Sequence, residues 1–219
     1  MRRIWVFAAL AAILIVNFGA SPHEGFNSTC VNDQCYMSAS SSLVSLIASA
    51  ILAVFTVFYP QKAGESERTE PVKIKERFAA FLIDFFIVIS AGGPVATLPI
   101  LLTEAKAVGR FQWSFERDFS RPTDYVLAVP GVFFMFGLLF VYFYVHLLIG
   151  RQTVGQYLLG YRVEGAPSVE GKKPAWGLSV LLGYVGLCVW PISVYLAAKR
   201  EDKAFWWNLQ TDTRLVRTA

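Results

Sequence analysis

The sequence predicts an all-α, polytopic transmembrane helical bundle of four to five membrane segments, the last of them either a span or a re-entrant loop. Three observations carry that reading. Hydrophobic residues make up 55% of the 219 positions, and mean hydropathy is +0.47. Charged residues make up 16%, where a soluble globular domain carries about a quarter. The charge is also segregated: all 20 Lys and Arg lie outside the apolar runs, and so do 15 of the 16 acidic residues. An unpaired charge in hydrocarbon costs at least about 2.5–3.5 kcal/mol, so membrane spans exclude it. The net charge of +4 and the isoelectric point near 9.0 are read as topology signals, and no nucleic-acid partner is expected.

The first apolar run, Ile4 to Ala20, follows Arg2 and Arg3. It reads as a signal peptide or as an uncleaved helix, and either places the Lys- and Arg-free stretch 21–42 outside the cytoplasm. Cys30 and Cys35 lie in that stretch, where a disulfide between them would close a short loop. The second run, Leu43 to Tyr59, has Ser45 and Ser49 on one face for helix packing. Residues 1–60 therefore form an N-terminal transmembrane hairpin, or a signal peptide plus one span. Residues 61–76 are a cytoplasmic linker with Lys62, Arg68, Lys73 and Lys75, and residues 77–217 are the transmembrane core.

The core opens with Phe78 to Thr103, where Gly92-Gly93-Pro94 and Pro99 predict a kink or break. In the outward loop 104–124, Phe111, Trp113 and Phe115 alternate with polar residues and read as an aromatic belt. Tyr125 to Gly150 is the cleanest span, with His146 near its cytoplasmic end. In the cytoplasmic stretch 150–175, Val154, Tyr157, Leu158 and Tyr161 recur at helical spacing with Thr153 and Gln156 off the stripe. That pattern predicts a short helix lying on the inner membrane surface. The last run, Trp176 to Ala198, contains Pro191. Its length favours a span, and the basic tail behind it favours a re-entrant loop.

Asp84 is the one acidic residue inside an apolar run. Arg77 precedes it by seven residues, so the two share a helix face about 10.5 Å apart along the axis. An intramembrane carboxylate is a functional-site hypothesis that requires a named partner. His146, Arg77 and polar groups of the final segment are the candidates. Asp84, Arg77 and His146 are accordingly the candidate ligand or ion residues, and Asp84 either binds a cation or proton during transport or hydrogen-bonds across helices to fix their packing. No nucleophile–base pair, zinc spacing or HExxH motif is present, so no enzyme activity, metal or cofactor is expected.

The segments RFAAFLID, GRQTVGQYLLGYRV and WNLQTDTRLV, in this order, resemble the RDD family of membrane proteins over residues 71–217. Arg77 and Asp84 match the family's arginine and first aspartate. Gly150, Thr153, Gly155, Leu159, Gly160 and Val163 match its glycine/threonine loop. The family's second aspartate is replaced here by Asn208, unless Asp212 takes its place, and Thr213 matches the threonine that follows. The resemblance implies an integral membrane protein that transports an ion or small ligand. The alternative is a non-catalytic accessory or scaffold protein of the cell membrane. The expected partners are the lipid bilayer and either a homo-oligomeric copy or a membrane partner protein. Asn208 cannot lose a proton at physiological pH, but it can hydrogen-bond Asp84 or Arg77.

Overall fold

The computed structural model describes residues 2–20, 25–31, 34–59, 71–118, 122–165 and 175–218. Most of them are helical. In chain order the elements are α1 (Arg2–Ala20), β1 (Gly25–Val31), β2 (Gln34–Ser40), α2 (Leu43–Phe58), α3 (Ile74–Val108), β3 (Ser114–Asp118), α4 (Pro122–Leu148), α5 (Val154–Leu159), β4 (Tyr161–Gly165), α6 (Trp176–Cys188), α7 (Trp190–Lys199), α8 (Trp206–Gln210) and β5 (Thr213–Arg217).

Among the described residues, two helices are long and apolar enough to cross a membrane: α3, and α4 over Gly131–Leu148, each with a window of mean hydropathy 2.1. The bent pair α6 and α7 makes a third only if it is one broken span, and α1 and α2 are shorter apolar helices. Contacts divide the chain into two compact units. One comprises 1–3, 59–85 and 140–219, and the other 4–58 and 86–139.

In the second unit, α3 stays one helix through Gly92, Gly93, Pro94 and Pro99, where the sequence predicts a kink or break. Hydroxyls lie along this stretch: Ser90 donates to the Phe86 carbonyl, Thr97 to Pro94 and Thr103 to Pro99. Neighbouring Ser and Thr side chains are what let proline sit inside membrane helices. Ser41 also reaches the Pro94 carbonyl at 3.4 Å.

The same unit holds a three-stranded antiparallel sheet in the order β1-β2-β3, which an all-α reading does not contain. Ala39 of β2 packs with Ile100 and Leu101 of α3 and with Phe115 of β3. Of Phe111, Trp113 and Phe115, Phe115 lies in β3 and faces the core, while Phe111 and Trp113 precede the strand and stack edge to face on each other. Ser45 and Ser49 are buried on α2, as helix packing requires. Cys30 and Cys35 are opposite each other in the β1–β2 register, and their side chains lie outside the described residues, as does most of the linker.

In the first unit, α5 departs from the predicted surface helix. Val154, Gly155, Gln156 and Tyr157 are all buried. The off-stripe residues Thr153 and Gln156 are buried because they form a capping box, each side chain bonding the other's backbone N–H. Gly160 ends the helix in the left-handed conformation at φ 73°. Strand β4 follows and pairs antiparallel with β5, Tyr161 opposite Arg217 and Gly165 opposite Thr213. Val72, Ala80 and Tyr161 form a small core with Leu159 and Leu215.

The last apolar run is two helices bent by 106° at Val189. Pro191 occupies the first turn of α7, where its missing N–H costs nothing. Ser193 donates to the Gly186 carbonyl at 3.0 Å and accepts the Trp206 indole N–H at 3.1 Å, which ties the elbow to α8.

Candidate functional site

Asp84 is 1% exposed. Its position on the inner face of α3 follows from the helix repeat: Ala80, Asp84, Ile87 and Val88 are all buried, while Phe78, Leu82, Phe86 and Ile89 are exposed. Three donors converge on its carboxylate. The Tyr142 hydroxyl donates to Oδ1 at 2.8 Å, the Gly155 N–H donates to Oδ1 at 2.8 Å, and the Thr153 hydroxyl donates to Oδ2 at 2.6 Å. The Tyr142 oxygen in turn accepts from the Val154 N–H, and Thr153 Oγ1 accepts from the Gln156 N–H. Both carboxylate oxygens are thus held by a network joining α3, α4 and the start of α5. Such charge-assisted bonds are the strong ones.

This cage requires Gly155. A Cβ there would overlap the backbone carbonyl of Ala80, so only glycine lets α5 lie close enough to present its N–H. Gly150, at φ 68°, turns the chain out of α4 before α5 begins.

The hydrogen-bond donors found on Asp84 among the described residues are not the expected partners, although His146 is near enough to act on the carboxylate electrostatically. Arg77 donates from Nη2 to the Val72 carbonyl at 3.0 Å, and its guanidinium lies over the Phe205 ring at 5.2 Å. Seven residues of helix set Arg77 and Asp84 on one face but two turns apart, so Arg77 meets partners near the start of α3 and Asp84 meets others two turns further in. His146 is 2% exposed and holds the Tyr142 carbonyl oxygen with Nδ1 at 2.7 Å. Its ring packs on the Tyr142 ring at 4.5 Å, so it supports the tyrosine that donates to Asp84. Asn208 bonds within the tail, donating to Thr213 Oγ1 at 3.0 Å and accepting from Thr213 at its carbonyl. It locks the turn between α8 and β5 and neither carboxylate nor guanidinium. Asp212 is exposed at a left-handed turn, φ 49°, and does not replace the second aspartate in the site.

Beside the cage lies a cavity of about 430 Å³, open on one side. Arg77, Phe205, Tyr184, Trp207 and Trp190 line it; Asp84 does not. Gly186 lets the Trp207 ring cross α6, because a Cβ there would overlap that ring. Outside the helices of the span, burial pushes the Tyr161 phenol well above its ordinary value. Hydrogen bonds from Arg200 hold the Asp202 carboxyl below its ordinary value.

Sequence reasoning missed Tyr142, Tyr184 and Phe205. Tyr142 did carry a signal, since it precedes His146 by four residues and so shares its helix face. Phe205 and Tyr184 carried none, because their roles depend on the elbow and on the return of the tail.

Buried polar groups are tied between helices that are long and apolar enough to cross a bilayer, which defines the class as a helical membrane protein. The family model of the RDD family matches residues 71–198, more than half of the chain. The chain belongs to the RDD family. Comparison with curated proteins and with solved structures returned no match.

Proposed function

We propose that the protein is a non-catalytic, multi-pass accessory or scaffold protein of the cell membrane, with Asp84 as a structural lock and not an ion carrier. One observation supports this above the others: both carboxylate oxygens of Asp84 are occupied by protein donors, and the residue lies off the cavity wall. A carrier carboxylate must meet water or its ion from each side in turn. This one would have to break three bonds to three separate groups first. The exposed apolar faces of α1 and α2, with Trp5, Phe7, Ile47 and Ile51, suit the bilayer and a second membrane protein or copy of this chain.

The same reading extends to topology. Strands β4 and β5 are hydrogen-bonded, and Arg217 pairs with Glu76 at 2.7 Å. A single crossing by α6 and α7 would put β4 and β5 on opposite sides of the bilayer. The bent pair is therefore re-entrant, and the tail shares the cytoplasmic side with the start of α3. That arrangement also places Lys199, Arg200, Lys203 and Arg214 where the positive-inside rule prefers them.

The test is Asp84→Asn against Asp84→Leu in purified, reconstituted protein. An Asn side-chain oxygen can still accept from Tyr142 and Gly155, and its amide can donate to Thr153, whose hydroxyl can reorient. Asp84→Asn should therefore keep protein yield within about twofold of the parent, while Asp84→Leu, which leaves buried donors unpaired at about 1–3 kcal/mol each, should lose most of it. A cation or proton flux that the parent supports and Asp84→Asn abolishes, in folded protein, would sink the proposal.

A further inference from the structure

We infer that the cavity beside Arg77 binds one acyl chain of an anionic lipid, with the lipid's oxyanion head on the Arg77 guanidinium. Arg77 is 7% exposed, and its Nε and Nη1 have no hydrogen-bond partner among the described residues. A buried guanidinium with two unused nitrogens is an unpaired charge and an expensive one, unless an anion reaches it. The acidic groups whose charge reaches it are already committed elsewhere: Glu76 to Arg217 at 2.7 Å, and Asp202 to Arg200 at 2.9 Å. Phe205, which carries the guanidinium on its ring, lines the same cavity. So does Tyr184, whose buried hydroxyl also has no partner. The site thus offers a planar fork of donors, suited to a carboxylate or phosphate, and one further hydroxyl.

The rest of the wall is mostly apolar, its Thr153, Gln156, Ser193 and Asn208 side chains being hydrogen-bonded within the protein, and the volume of about 430 Å³ falls in the range of small-ligand sites, about 300–1,000 Å³. Two aromatic residues of the wall are also well exposed, Phe78 at 58% and Trp190 at 61%. A mouth bordered by such groups faces lipid and not water, so the occupant comes from the bilayer. Arg77 begins the fourth residue of α3, at the end of the span, which is the depth of a headgroup. An acyl chain in the apolar part and an acidic head on Arg77 satisfy both halves of the site at once.

The experiment is native mass spectrometry of the full-length protein in mild detergent, titrated with phosphatidylglycerol, phosphatidylcholine and inorganic phosphate. One phosphatidylglycerol adduct should form with at least fivefold preference over phosphatidylcholine. Arg77→Ala should reduce that preference at least fivefold, and Tyr184→Phe should weaken it less. Because Arg77→Ala also removes a buried side chain, Gly183→Leu gives a second arm. Its Cβ has room in α6, and the larger side chain fills the cavity while Arg77 stays in place, so the adduct should be lost. Equal adducts of the two lipids, an unchanged preference in folded Arg77→Ala, or full binding by Gly183→Leu would each overturn the inference. Displacement of the lipid by millimolar inorganic phosphate would identify a free-anion site and overturn it also.

Discussion

At the scale of single residues, the carboxylate of Asp84 is defined by what surrounds it and not by its charge. Its three donors come from a tyrosine hydroxyl, a threonine hydroxyl and one backbone N–H. Thr153 and Tyr142 each have two duties, since the Thr153 oxygen also accepts the Gln156 N–H that caps α5 and the Tyr142 oxygen also accepts the Val154 N–H. Thr153→Val and Tyr142→Phe should therefore each cost about 2–4 kcal/mol, since each removes a donor to Asp84 and an acceptor for an N–H of α5. Thermal unfolding of the detergent-solubilised variants checks both losses. A loss under about 1 kcal/mol for either would mean that its hydroxyl does not hold the network together. Asp84 was legible in the sequence because a charge in an apolar run has few explanations, and Arg77 because it precedes Asp84 by seven residues on the same helix face. Their partners were not. Tyr142 looks like any aromatic of a membrane span, and Gly155 donates through its backbone, which residue type does not reveal.

At the scale of elements, apolar runs mark helices well and say little about how they end. The five runs correspond to α1, α2, α3, α4 and the pair α6–α7. Strands β1 to β5 went unread for a physical reason: each is five or seven residues long and pairs with a strand distant in sequence or across a polar turn. The bend at Val189 was half legible, since Pro191 marks the place but not the 106° angle. What holds the elbow is the crossing of Trp207 over Gly186 and the Ser193 hydroxyl between Gly186 and Trp206. Gly186→Ala puts a methyl group into that ring and should destabilise the protein by about 1–3 kcal/mol, the usual cost of overpacking. Ser193→Ala should cost less, about 1 kcal/mol. Limited proteolysis of the segment after Lys199 reads both, and Gly186→Ala cleaved no faster than the parent would rule out the crossing as the element that seats the tail.

At the scale of the whole molecule, the decisive constraint is that strand pairing cannot extend through a bilayer. A maleimide reagent that does not cross membranes should therefore label single cysteines at Lys75, Glu201 and Arg214 from the same side. All three positions are exposed, and Cys30, Cys35 and Cys188 are exchanged for serine beforehand. Labelling of Arg214 from the side opposite to Lys75 would make α6–α7 a true span and undo the re-entrant reading. The same pairing has a further consequence, in the order of synthesis. Roughly fifty residues separate β4 from β5, so at about 5–20 residues per second β4 waits several seconds for its partner. During that interval its edge is open, and Arg162 and Glu164 on it are the kind of charged side chains that discourage a wrong strand from adding there.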